Sequence, residues 1–419
     1  DRMRYRLRAF GLDLPLSRPL PEISAALAAT YPADASGIRI FCDQAEAIGR
    51  ALDNPGGERE RQLLGQAAST PARNYLKDLI LTPAPRRVLG SIGTHEPYSG
   101  LTLLAAMWRL MTRDGIWLPA GGMGAIGDGL LAAARSAGAQ VRLGVPVAAI
   151  RVKDGRAEGV TLESGEEIAA AAVVSNADYK TTFLRLIADE NLSDEFFQAV
   201  FFARQTGSCL QVALGLDPAK VDLSAFDDCD RVIHRRLEPG PPPDWRALEL
   251  DPVALAGEEL ELGLWSRPGA DGPGAALVIR VPAEYNHFTR YRIVPYTRLP
   301  AYADYKEKLA AALIAEAETA LPGLAAAVMV KDVATPLTFE ERGGRSAGSI
   351  AGWSWDFESG SDPEPRELVR TPIAGLYLAG CQAFSGLFLG GVPTAALSGI
   401  RAAEYALAGA GPQTPTLPS

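Results

Sequence analysis

At 419 residues, with 47% hydrophobic and 22% charged side chains, the chain has the length for two or three domains and an ordinary globular composition. A net charge of −9, with no basic cluster larger than Arg86–Arg87 or Arg235–Arg236, argues against a nucleic-acid partner and against electrostatic docking on an anionic membrane. Cys42, Cys209, Cys229 and Cys381 form no CxxC pair, and His95, His234 and His287 form no HxxxH pair, so reduced thiols and no metal site are expected. No window approaches the ~18–20 apolar residues of a membrane span.

In chain order, residues 1–118 read mainly as helices. Ile23, Leu27 and Tyr31 share one helical face, and Ile38, Phe41, Ala45, Ile48 and Leu52 share another. Further helices are expected over 70–81 and along the stripe Leu101, Leu104, Ala105, Trp108 and Met111. The heptapeptide from Arg2 to Arg8 reads as a strand or a tail. Ile126, Leu130, Leu131 and Ala134 then predict a helix face, with Gly138 just past its end. Strands are expected at 141–143 and 145–152, a hairpin turn at Asp154 and Gly155, return strands at 159–162 and 168–174, and a turn at Ser164 and Gly165. Beyond them, 210–216, 260–265 and 276–281 read as strands, and 303–321 as a helix carrying Tyr305, Leu309, Leu313 and Ala317.

Two glycine clusters invite a cofactor. Gly122, Gly124 and Gly127 match GxGxxG and open a helix, but no carboxylate follows the next strand and Pro119 spoils the preceding one, so a dinucleotide fold is not expected there. The second cluster lies in GLYLAGCQAFSGLFLGGVPTAALSGIRAAEYAL, residues 375–407: a short buried strand, a glycine turn, and a helix opened by Pro393. Backbone N–H groups and a positive dipole end meet there, which suits a phosphate or the electron-rich edge of a cofactor ring.

The order of the pieces from LPAGGMGAIGDGLL through VRLGVPVAAIRV, GRAEGVTLESGEE and AAAVVSNAD to GLYLAG and GGVP resembles the phytoene-desaturase-like flavoproteins of the FAD-dependent amine oxidase superfamily, over about residues 20–408. The resemblance implies an α/β (α+β mixed) architecture: a glutathione-reductase-like FAD domain, N-terminally incomplete, with an inserted substrate domain. On that reading 1–115 is the helical part of the substrate domain, 116–178 the middle segment of the FAD domain, 179–366 the rest of the substrate domain, 367–408 the C-terminal strand, loop and helix, and 409–419 a tail.

The resemblance further implies FAD as cofactor. It places Val147 against the adenine, Asn176 and Ala177 on the nucleotide side, Gly380 against the ribityl and pyrophosphate, and Gly390, Gly391, Val392 and Pro393 at the pyrimidine edge of the flavin. Cys381 follows Gly380 where the wider superfamily has an acid. The helix dipole there would favour an anionic reduced flavin. Trp353 and Trp355 either cover the ring or are core aromatics, and Arg342 and Arg345 either orient a polar substrate end or are solvated. No catalytic residue is named.

The family's opening strand, GxGxxG and acid do not occur before residue 20. The N-terminal FAD-binding unit is therefore expected to precede Asp1 in the same polypeptide or to come from a separate chain as a heteromer. The implied activity is hydride transfer between an apolar polyene or isoprenoid-like substrate and flavin N5. The competing expectations are a non-catalytic isoprenoid- or lipid-binding scaffold subunit and an oxidase of polar amines. The expected location is the cytoplasm, with a peripheral inner-membrane contact left open.

Overall fold

The computed structural model describes residues 2–91, 100–236, 241–267, 272–354, 366–385 and 391–409. It divides into two compact units, one formed by 1–122 and 208–338, the other by 123–207, 339–355 and 363–419. His95, Trp355, Gly390 and the tail beyond 409 lie outside the described residues.

The first unit is built on a seven-stranded sheet ordered Val328–Ala334, Ser208–Leu216, Ala275–Ala283, Leu260–Ser266, Arg231–His234, Tyr5–Ala9, Leu12–Pro15. All pairings are antiparallel except that of Arg231–His234 with Tyr5–Ala9. Strict alternation in Ser208–Leu216 and Ala275–Ala283 sends Leu210, Val212, Leu214, Leu277, Ile279 and Val281 to one face. There they meet Tyr305, Leu309, Leu313 and Ala317 of the helix Ala301–Glu318. The opposite face carries a cross-strand row, in which the buried Arg231 guanidinium lies over Gly263 and 4.0 Å beneath the ring of Trp265.

The arginine-rich start thus becomes a strand. Of the strand and the tail left open for Arg2–Arg8 the strand forms, and its alternation buries Met3, Leu7 and Ala9. A helical layer follows, its core formed by Ile23, Leu27, Ile38, Phe41, Ile48 and Trp108, with the Trp108 indole donating to Leu89 O at 2.9 Å. Each such side chain, fully buried, contributes about 1.5–3 kcal/mol.

In the second unit the expected meander forms: Val147–Lys153, Arg156–Leu162 and Glu167–Ala169, antiparallel, turning through Asp154 and Gly155 in left-handed conformations. Val173–Ser175 then pairs in parallel with Leu376–Leu378. The strand expected at 141–143 does not form, since among the described residues no backbone pairs with it. The helix Gly124–Ser136 does form, but none of its residues is buried. Before Gly122 stands only the two-residue strand Ile116–Trp117, which pairs antiparallel with Arg2–Met3, so the GxGxxG letters do not follow a parallel strand. Among the described residues no helix is long and apolar enough to cross a membrane.

Asp34 ties the helical layer together. Its buried carboxylate accepts hydrogen bonds from Leu81 N, Thr82 N and Thr82 Oγ1 at the start of the helix Pro83–Ser91. Burial alone would push this carboxyl up, but the Thr82 hydroxyl and the two backbone N–H groups outweigh it and hold the group below its ordinary value. A depressed carboxyl stabilises the fold above the unfolded carboxylate range and ceases to do so as pH falls through it. Asp34→Asn should therefore cost about 1–3 kcal/mol at neutral pH. In urea titrations the gap from the parent chain should narrow toward acid pH; a gap that does not change with pH contradicts the assignment.

Candidate functional site

The carboxyl ends of two parallel strands lie side by side, because Leu376 faces Val173 and Leu378 faces Ser175. Ala379 N donates to Ser175 O at 2.9 Å and extends the ladder by one rung. The chains then diverge as Asn176–Asp178 and Gly380–Gln382, and a crevice opens between them, the usual place for a ligand in a parallel sheet. Gly380 sits at φ +104°, and a Cβ there would fall 2.3 Å from Asn176 Oδ1. Only glycine meets both demands. Its N–H donates to Ser398 Oγ at 2.8 Å, which locks the turn to the helix Gly391–Leu407.

The resulting cleft holds about 470 Å³. Asn176, Ala177 and Asp178 form one wall, Ala379, Gly380, Cys381 and Gln382 a second, and the helix start at Gly391, Val392 and Ala395 a third. A strap comprising Gly343, Arg345 and Ser349 to Ala351 closes the fourth side. Gly352 lets the strap approach closely, since a Cβ there would meet Cys381 O at 2.8 Å.

One carboxylate holds three of these pieces. Asp178 Oδ1 caps the helix Tyr179–Leu184 through Thr181 N at 3.2 Å and accepts from Ser346 Oγ at 2.6 Å. Its Oδ2 accepts from Gln205 Nε2 at 2.9 Å and Gln382 Nε2 at 3.2 Å. Gln382 in turn accepts from Tyr179 N at 2.8 Å through Oε1, and from the Trp353 indole at 2.9 Å through its carbonyl. Ala347, beside Ser346, is held at φ +53°. The Arg345 guanidinium donates to Ile350 O at 2.8 Å.

Of the residues singled out from the sequence, Asn176, Ala177, Gly380, Cys381, Gly391 and Val392 line this one cleft. Pro393 is exposed in the first turn of a helix that opens two residues earlier, at Gly391. Val147 starts the strand Val147–Lys153 opposite Leu162, and the cleft does not include it. Trp353 is a core residue, packed edge-on against Tyr179 at 4.9 Å. Arg342 is exposed, whereas Arg345 reaches the cleft. Sequence reasoning missed Asp178, Gln382 and Ser349. For Asp178 a signal existed, since an aspartate three residues before Thr181 is a helix N-cap pattern.

Residues 43–239 match the family model for flavin containing amine oxidoreductase. Over 358 residues the chain is 29% identical to a chloroplastic prolycopene isomerase of Arabidopsis thaliana, a match covering 83% of this chain and 55% of that protein. It is 30% identical over 230 residues to the all-trans-zeta-carotene desaturase of Myxococcus xanthus, covering 51% of this chain and 44% of the relative. These matches make the chain similar to the phytoene-desaturase-like flavoproteins of the FAD-dependent amine oxidase superfamily. Among solved structures, an oxidoreductase from Methanosarcina mazei matches with a TM-score of 0.58 at 14% identity, over 96% of this chain and 81% of that one, a likeness of fold. The chain spans about half the length of these curated relatives.

Similarity to these flavoproteins implies FAD, and the cleft offers features that fit its flavin end. Gly380 leaves a cradle that any side chain would fill. Ser349 Oγ is buried on the cleft wall with no hydrogen-bond partner among the described residues, as a hydroxyl awaiting a polar ring atom would be. Among the described residues nothing lies within 4 Å of where a Cβ on Gly391 would stand. These two glycines separate fold from site. Gly380→Ala should destabilise the fold by about 1–3 kcal/mol in thermal or urea unfolding, whereas Gly391→Ala should leave unfolding unchanged. Equal effects would contradict the geometry.

Proposed function

We propose that the protein is an FAD-dependent oxidoreductase of the phytoene desaturase and carotenoid isomerase type, acting on an apolar polyene or isoprenoid-like substrate. The observation that carries this reading is the cleft itself: a glycine that admits no side chain, an unpartnered buried hydroxyl and a helix start, gathered at the carboxyl ends of two parallel strands. When bound, FAD supplies a two-electron acceptor at its N5, and the protein's share is binding, orientation and exclusion of water. Gly391 and Val392 would hold the flavin at the helix N-terminus, whose positive end favours negative charge. Ser349 offers a hydrogen bond, and Asp178 keeps the strap and the 380–382 turn in register through Ser346 and Gln382. The relatives, a prolycopene isomerase and a zeta-carotene desaturase, support a polyene as substrate.

The diphosphate half of the site is proposed to come from a βαβ unit added to the free edge of Val173–Ser175. That strand has a single partner in the described sheet, and Leu130, Leu143 and Val174 stand exposed in the same unit. Two parallel strands alone are a poor sheet, since parallel sheets are normally covered on both faces.

The test uses the chain purified with whatever segment or subunit completes its FAD site. The complex should show flavin absorbance, and anaerobic polyene should either bleach it while losing hydrogen or change double-bond geometry without net oxidation. A complete complex without flavin contradicts the cofactor reading. Bleaching by polar amines but not by polyenes contradicts the substrate class.

A further inference from the structure

Cys42, Cys209 and Cys229 are buried, whereas Cys381 is part-exposed. Burial also pushes the Cys42, Cys209 and Cys229 thiols up to about 11, which suppresses the thiolate that attacks a disulfide. Cys381 stands in the wall of the cleft, between Gly380 and Gln382. The hydrogen bonds that fix this turn run through the Gly380 N–H, the Gln382 amide and the Gln382 carbonyl. None of them uses the Cys381 thiol, so the turn holds its shape whether that sulfur is free or bonded.

A second group in the cleft points to a ligand independently. Ser349 is 1% exposed, its Oγ has no hydrogen-bond partner among the described residues, and it lines the same cleft as Cys381. A buried hydroxyl left unpaired is unfavourable, and a polar group held in the cleft would pair it.

Charge sets the class of that group. The charged side chains of the lining are Asp178 and Arg345. Asp178 already accepts from Thr181 N, Ser346 Oγ, Gln205 Nε2 and Gln382 Nε2. Arg345 and the positive end of the helix Gly391–Leu407 leave the cleft suited to a negative group.

We propose that Cys381 is a reversible modification site, at which a small carboxylate-bearing disulfide of the glutathione disulfide type forms a mixed disulfide inside the cleft. Cys381 gives its proton to water, and its sulfur attacks one sulfur of the incoming disulfide. The old S–S bond breaks as the new one forms. Cys381 is thereby oxidised, and the leaving thiolate is reduced and takes up a proton. Exchange with a second thiol reverses the step. The adduct and a bound flavin would compete for the same cleft of about 470 Å³. That competition rests on the flavin reading; the modification does not.

The test exposes the full reduced chain to glutathione disulfide and follows each cysteine by peptide mass spectrometry. Cys381 should react at least about tenfold faster than Cys42, Cys209 or Cys229, and a reducing thiol should restore it. With rates taken relative to free cysteine, Cys381 should prefer glutathione disulfide to the cationic disulfide cystamine. Ser349→Ala should slow the glutathione reaction by about threefold or more, while alkylation of Cys381 by iodoacetamide keeps the parent rate. The proposal is overturned if a buried cysteine reacts as fast or if cystamine is preferred. It is overturned too if Ser349→Ala leaves the glutathione reaction unchanged, or slows both reagents equally. Repeating the measurement on the completed assembly with and without FAD separates the two claims. Protection of Cys381 by FAD supports the competition. Selective modification that FAD does not slow upholds the modification site and contradicts the flavin reading of this cleft.

Discussion

The candidate site depends on one pairing: Val173–Ser175 against Leu376–Leu378, two three-residue strands far apart in sequence. Side chains alternate along a strand, so a slip of one residue would turn Leu376 and Leu378 out of the core and carry Gly380 away from Asn176. With the register as it is, the residues after the strands meet so closely that Asn176 Oδ1 occupies the space of a missing Cβ. The need for glycine at 380 follows from the pairing and from the φ of +104° together.

What the strands bring together, the Asp178 carboxylate holds. It joins the segment after the first strand, the 380–382 turn and the strap at Ser346, so three cleft walls share one acceptor. Charge-assisted hydrogen bonds of this kind are among the stronger polar contacts in a fold. They fit a crevice that must keep its shape around a buried Ser349 Oγ without a partner among the described residues and the exposed start of the helix at Gly391. The same unit exposes Leu130 and Leu143, and the helix Gly124–Ser136 buries nothing. An amphipathic helix with its apolar face in the open matches the proposed addition of a βαβ unit.

Much of this was legible in the sequence. The 3.6-residue spacing of Ile38, Phe41, Ala45 and Ile48, and of Tyr305, Leu309 and Leu313, located two long helices. The Asp154–Gly155 turn located the meander. Glycine spacing separated the two candidate cofactor loops, because chemistry absent after Gly127 counted against one of them. At Tyr5–Ala9 the sequence left a strand and a tail open, because its arginines, whose stems border a buried Leu7, pair their charged heads with Asp13, Asp228 and Asp230 far along the chain. The strand expected at 141–143 had the right residues and no partner among the described ones, which composition does not reveal. Asp178 and Ser349 matter through long-range contacts, and single-sequence periodicity carries no information about those.

Flavin is proposed to bind where Gly380 meets the start of the helix Gly391–Leu407, and not at the GxGxxG turn. Hydrogen exchange of the complete FAD-binding assembly, measured with and without FAD, separates the two loops directly. Protection on binding should concentrate at Asn176–Asp178, at the 379–382 turn and at the first turn of the helix Gly391–Leu407. Protection centred on Gly122 to Gly127, with none in the cleft, would contradict it.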